Sequence, residues 1–228
     1  MMIGEWSDGF FLGRPNRFLA QVRLGREKVQ AHLPDPGRLT ELLVPGAKVR
    51  LLPSSREGRR TAWTLIGVEC PAGWVNVDSR LPNQLFEEAL REGRLPEFSG
   101  VSEWRREYRY GGSVIDFLLA GDPPCLAEVK GCTLVVGETA LFPDAPTSRG
   151  TRHLGELEAA RARGMRSCVV FVVKHPAARE FRANRDTDPL FAEALASATA
   201  AGVEALAYLA AWRGREIRLG ERMPVRTG

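Results

Sequence analysis

A chain of 228 residues has room for one large domain or two modest ones, each with a core of its own. Its composition, 44% hydrophobic and 26% charged, is that of a globular protein, and it lacks the run of about 18 apolar residues that spans a bilayer as a helix. The net charge of +4 is unevenly placed: residues 1–80 hold 12 Lys and Arg against 8 Asp and Glu, while 81–228 hold 20 against 20. An excess confined to one segment points to an anionic partner there. No basic stretch followed by an apolar one marks a secretion signal, so a cytoplasmic location without membrane contact is expected. Cys70, Cys125, Cys132 and Cys168 show no C-x-x-C spacing and mostly sit in apolar runs, as reduced buried thiols do.

In chain order, residues 17–25 alternate apolar and polar, and 28–33 follow after a tight connection, as in a β-hairpin. "LPDPGRLTELL" (33–43) is a Pro/Gly turn entering a short helical segment, and 47–54, 61–70 and 73–78 are further strands. Five short strands within residues 1–80 suit a closed barrel of the OB type, a frequent platform for nucleic acid. Its candidate contacts to phosphate are Arg17, His32 and Arg38, together with Arg59 and Arg60 in the basic loop "SSREGRR" (54–60). Phe18 and Trp63 are placed in the barrel core, with base stacking as their alternative role.

Residues 81–228 read as a second, α/β domain. "SRLPNQLFEEALREG" opens it with a helix that has Pro82 in its first turn and Gly93 as its stop. Strands joined by "GG" and "GDPP" follow, then a helix over 148–164, an apolar strand over 167–173, a helix over 188–202 and a strand over 203–210. This order gives a mixed β-sheet with flanking helices. Lys174 and His175 read as ordinary strand-end residues.

The stretch "SVIDFLLAGDPPCLAEVKGCTL" carries the chemistry. If "VIDFLLA" and "CLAEVKG" form a hairpin symmetric about Asp122, Asp116 lies across from Glu128, with Cα atoms about 4.5–5.5 Å apart. Lys130, two residues beyond Glu128, points to the same face. Opposed carboxylates destabilise a sheet, and more so among apolar neighbours. A divalent cation, Mg²⁺ or Mn²⁺, relieves the repulsion, because hard oxygen donors converging on a point are what it takes. A lysine beside them can orient a water molecule or stabilise charge on a phosphate. The alternative is a solvated ion-pair ladder.

A helix bearing Glu, a strand bearing Asp and a strand bearing Glu-x-Lys together resemble the PD-(D/E)xK nuclease superfamily, with Ile115 where the eponymous proline would stand. More of the chain resembles the sugar fermentation stimulation protein A family, through "NRFLAQV", "AHLPDPGRL", "PGAKV", "LPNQLFEEAL", "IDFLL", "EVKGCTLV", "ALFPDAPTSRGTRHL" and "AGVEALAY". The resemblance implies an OB-like first domain, a second domain of restriction-endonuclease-like type, and DNA as partner. Members are also described as regulators of sugar metabolism genes. It further implies Asp116 and Glu128 as metal ligands, the Val129 carbonyl as a further one, and Lys130 as the motif lysine. Glu87 or Glu88 would be the acidic residue of the first helix, a choice that helical geometry leaves open. Arg149 and His153, four apart, share a helix face near an N-terminus that favours phosphate, and related nucleases place polar side chains at this spacing.

Three functions compete on these residues: a Mg²⁺-dependent nuclease with a DNA-binding platform, a DNA-binding regulator without turnover, and a metal enzyme acting on a small phosphorylated substrate. RNA stays open beside DNA, as do strandedness and oligomeric state, a homodimer included.

Overall fold

The computed structural model describes residues 1–54 and 60–227. Strands β1 (Ser7–Asn16), β2 (Leu19–Leu24), β3 (Glu27–His32), β4 (Lys48–Pro53) and β5 (Trp63–Cys70) form an antiparallel sheet in the order β3-β2-β1-β4-β5. The parallel contact of Ala31 with Trp63 and His32 with Thr64 closes it into the expected OB barrel, and β6 (Gly73–Asn76) extends it beyond β5. Alternation sends Ala20, Val22, Val49, Leu51, Leu65 and Val68 inward, where each is sealed from solvent.

Two expectations fail in the barrel. "LTELL" is not a helix but a single turn, closed by the Leu43 N–H donating to the Leu39 carbonyl at 2.8 Å. Pro34, Pro36 and Pro45 leave too little uninterrupted chain to propagate one, and Leu39, Leu42 and Leu43 plug the barrel instead. Phe18 lies on the connection between β1 and β2, 47% exposed, rather than in the core. Strand β1 is not legible in the sequence, because its glycines and Pro15 hide the alternation. Gly9 is required there, since a Cβ would sit 2.7 Å from Val22 Cγ1.

The second unit begins with helix α1 (Leu81–Arg91), stopped at Gly93 with φ +63°. It continues through β7 (Trp104–Tyr110), β8 (Ser113–Leu119), β9 (Cys125–Cys132), β10 (Val135–Val136), β11 (Thr139–Phe142), α2 (Ser148–Ala162), β12 (Arg166–Val173) and β13 (Glu180–Ala183). It ends with α3 (Pro189–Ala200), β14 (Glu204–Arg213), β15 (Glu216–Met223) and β16 (Val225–Arg226). The main sheet runs β15-β14-β12-β9-β8-β7, parallel at β9–β12 and β12–β14 and antiparallel elsewhere. A smaller sheet, β10-β11-β13-β16, sits beside it. This is the mixed α/β architecture expected, with two C-terminal strands added.

Helix α1 covers one face through Leu85, Phe86 and Ala89, which meet Phe117, Val129 and Val170. Helices α2 and α3 cover the other, with Leu154, Leu157, Phe191 and Leu195 against Val169, Phe171 and Val173. Strand β12 is therefore buried on both sides, which is why it reads as an unbroken apolar run. Side-chain caps start the two later helices: Thr147 accepts from the Gly150 N–H at 3.1 Å, and Asp188 from the Phe191 N–H at 3.0 Å.

Specific polar contacts join barrel and sheet. The Arg38 N–H donates to Asp144 Oδ2 at 2.9 Å. Lys174, read from the sequence as a strand-end residue, is 1% exposed and reaches Asp35 Oδ2 at 3.4 Å and the Asp78 carbonyl at 3.3 Å. The Arg50 guanidinium lies 3.7 Å from the ring centre of Trp74, 4.4 Å from that of Trp6 and 4.7 Å from that of Trp212. The four cysteines are free thiols, and burial pushes that of Cys132 up to about 12. Among the described residues no helix is long and apolar enough to cross a membrane.

Candidate metal centre

The hairpin of β8 and β9 has the expected register: Leu119 pairs with Cys125, Leu118 with Leu126 and Phe117 with Ala127. Its continuation puts Asp116 opposite Glu128, but the ladder stops one step short. The Asp116 carboxylate replaces the missing backbone bond, its Oδ2 accepting the Val129 N–H at 2.8 Å. The Asp116 N–H in turn donates to Glu128 Oε2 at 3.3 Å. Across β7, the neighbouring Glu107 holds a left-handed φ of +53°. The strand turns over at this point, so that Ile115 joins the core under α2 while Phe117 joins the core under α1. Such backbone strain beside two carboxylates is characteristic of a functional site.

Glu128 and Lys130 share the face toward α2, as their spacing requires. Glu128 is 2% exposed, and its Oε1 accepts from both Lys130 Nζ and His153 Nδ1, the latter at 2.5 Å. Burial pushes the Glu128 carboxyl up, but the His153 hydrogen bond and Lys130 outweigh it, and the group stays below the usual carboxylate range. Arg149 Nε lies 3.4 Å from His153 Nε2. Since a guanidinium only donates and a carboxylate only accepts, His153 carries its proton on Nδ1 and offers Nε2 to Arg149.

Asp116 is in the opposite condition. Its described partners are neutral: the Val129 N–H, and Asn83 Nδ2 donating to Oδ1 at 2.9 Å. Burial first, and the Glu128 charge second, raise its carboxyl above the usual value. A half-buried carboxylate next to a second one, without a cation of its own, is where a cation is favoured.

The first helix corrects the sequence reading. Glu87 accepts from Trp104 Nε1 at 3.0 Å and lies 3.5 Å from Arg106, both on β7. Glu88 pairs with the chain's amino group at 2.8 Å and with Arg94 at 3.5 Å. Seating the apolar stripe of α1 on the sheet aims both acids at these cations, and the residue delivered to Asp116 is Asn83, one turn earlier. Its only signal in the sequence is the i, i+4 relation to Glu87. Among the described residues, no three His, Cys, Asp or Glu side chains form a ready cation cage. The donors present are two carboxylates with amide and peptide oxygens nearby. That hard-oxygen set suits a cation of the Mg²⁺ class, which takes one or two carboxylates and keeps several waters.

On the barrel, Arg17 is exposed, with its guanidinium 5.3 Å from the Phe18 ring centre. His32 ends β3 half-buried, Arg38 is exposed on the loop that meets Asp144, and Arg60 is exposed ahead of β5. Arg59 lies outside the described residues. Trp63 is half-buried against the barrel core. Arg17, Phe18 and Arg60 thus occupy the β1–β2 and β4–β5 connections, the loops that flank the ligand face of OB barrels.

Known proteins agree with this two-part layout. Residues 12–77 match the family model of the SfsA N-terminal OB domain, and residues 80–216 that of the sugar fermentation stimulation protein RE domain. Relatives described as sugar fermentation stimulation protein homologs include that of Moorella thermoacetica, 50% identical over 201 residues and matched over 87% of each chain. That of Symbiobacterium thermophilum is 44% identical over 234 residues, covering 95% of this chain and 93% of the relative. The solved structure of Pyrococcus furiosus SfsA in complex with Ca²⁺ superposes with a TM-score of 0.92 at 32% identity, over 99% of this chain and 98% of that one. The chain belongs to the sugar fermentation stimulation protein (SfsA) family.

Proposed function

We propose that this protein binds DNA through its barrel and hydrolyses phosphodiester bonds at the Asp116–Glu128–Lys130 cluster with a divalent cation, Mg²⁺ or Mn²⁺. The observation that carries the reading is the half-buried Asp116 carboxylate, without a cation paired to it beside Glu128, which itself holds Lys130. The Ca²⁺ in the Pyrococcus relative is a hard, oxygen-seeking cation and supports a divalent site of this kind.

Asp116 and Glu128, with the Val129 carbonyl, would hold the ion, whose chemistry is to polarise the phosphate and acidify a bound water. Asn83 fixes the Asp116 rotamer, and His153 fixes that of Glu128. Lys130 Nζ, anchored on Glu128, orients the attacking water and meets the charge that develops on the phosphate. Arg149, steadied by His153, holds a non-bridging phosphate oxygen.

Labelled single- and double-stranded DNA and RNA, incubated with Mg²⁺ or Mn²⁺, test this directly. Lys130→Ala should lower cleavage by about 10²–10⁴-fold while leaving binding nearly intact. A wild type that binds but never cleaves would favour the second reading, a DNA-binding regulator of sugar metabolism genes without turnover. One observation favours that reading: Glu87 and Glu88 are both neutralised elsewhere, so no third acid joins the pair among the described residues.

A further inference from the structure

Beside the metal-site cluster lies a groove of about 500 Å³, between the turn that joins β7 to β8 and the first turns of α2. Arg109 from β7 and Arg149 and Arg152 from α2 line it. Elsewhere in this domain, arginines such as Arg182, Arg222 and Arg226 meet a carboxylate at 2.8–2.9 Å. The three in the groove have no such partner among the described residues. Arg152 Nε spends one N–H on Ser113 Oγ at 3.2 Å, and Arg149 Nε spends one on His153 Nε2. Their terminal amino groups stay available.

The nearby carboxylate does not neutralise them. Glu156 Oε1 accepts the Gly112 N–H at 2.8 Å and so pins the β7–β8 turn. Gly111, at φ +53°, has no room for a side chain, since a Cβ would overlap the Glu156 carboxylate. The turn is thereby held in the position that presents Arg109 to the groove. Converging like charges repel, so a surface holding three unpaired guanidiniums around one cavity gains from an anion with several acceptor oxygens. His153 links this groove to the metal-site cluster, with Nδ1 on Glu128 and Nε2 toward Arg149.

We infer that this groove seats a second phosphate of the bound strand, next to the one that reacts, with Arg109 and Arg152 as its holders. The inference rests on the nucleic-acid reading above and deepens it. The phosphate belongs either to the strand's end or to its backbone.

The test is fluorescence anisotropy with a short fluorescein-labelled DNA strand, in EDTA and in Ca²⁺, over a series of salt concentrations. The proteins are the wild type, R109A/R152A, R109Q/R152Q and the control R185A, whose arginine pairs with Glu193 outside the groove. Each lost phosphate contact removes about 0.7 from the log–log salt slope on a single strand. Losing that one phosphate should therefore cost both double variants about 0.7 of slope and about tenfold or more in low-salt affinity, with melting curves like the wild type and R185A unchanged. Double variants that keep the wild-type slope and affinity would overturn the groove assignment. Wild type that binds with full slope but never cleaves in Mg²⁺ or Mn²⁺ would remove the catalytic reading and leave the groove standing. Wild type that does not bind the strand removes both. A preference for a 5′-phosphorylated over a 5′-hydroxyl strand that disappears in the double variants assigns the groove to the strand's end. Equal affinity for both assigns it to the backbone.

Discussion

Asp116→Asn is the substitution that best separates a cation site from a polar structural motif. The variant keeps the shape of the side chain. Its amide oxygen can still accept the Val129 N–H, and a flipped Asn83 amide can accept from its nitrogen. What it removes is one of two adjacent negative charges, a repulsion worth about 1 kcal/mol across a strand pair. Metal-free D116N should therefore melt about 2–4 °C above the wild type near neutral pH, at the usual conversion for a chain of this size. The sign follows from the raised Asp116 carboxyl. The folded state binds that proton more tightly than the unfolded one, so metal-free wild type loses stability as pH rises through the folded value. D116N should lack this loss. A divalent ion at about a hundred times its dissociation constant stabilises the wild type by about 2.7 kcal/mol, a rise of about 5–11 °C in melting temperature. In D116N the rise should collapse. Differential scanning fluorimetry in EDTA, Mg²⁺, Mn²⁺ and Ca²⁺ reads all of these. A D116N protein that is destabilised without metal, or that keeps the full wild-type response to metal, would refute the reasoning.

His153→Ala leaves Glu128 buried with one partner fewer and should cost about 1–3 kcal/mol. Because Glu128 is held below its ordinary range, it contributes stability above its unfolded pKa that is lost as pH falls through the folded one. H153A should shrink that acid-side loss in urea titrations at stepped pH; an unchanged profile would detach His153 from Glu128. Arg50→Ala empties the space between three tryptophans and should cost about 2 kcal/mol, with a red-shifted tryptophan emission; an unmoved spectrum would mean that Arg50 does not bind barrel to sheet. Phe18→Ala, at an exposed loop, should leave the melting temperature unchanged and weaken single-strand binding by about tenfold; unchanged affinity would remove Phe18 from the contact surface.

Much of the site was legible because its parts are local. The "GDPP" turn and the two-residue period of the flanking strands determine the β8–β9 register, so Asp116 across from Glu128, and Lys130 beside Glu128, follow from sequence alone. The same holds for Arg149 and His153, which one helical turn brings together. The turnover of β8 that puts the Asp116 carboxylate on the Val129 N–H and Asn83 does not follow from sequence. The barrel followed from short alternating strands, except for β1, where glycines remove the pattern.

Partners set by packing were not legible. Periodicity shows that α1 buries Leu85, Phe86 and Ala89, but not how far the helix slides along the sheet. That offset gives Asn83 to Asp116 and sends Glu87 and Glu88 to cations on other segments. Lys174 looks like a strand end until the barrel's Asp35 is packed over it, and Arg109 looks like one charge among many until α2 sets two more beside it. A chain's local periods choose which side of an element is buried. What lies opposite depends on contacts between residues far apart in sequence, which only the assembled core brings into register.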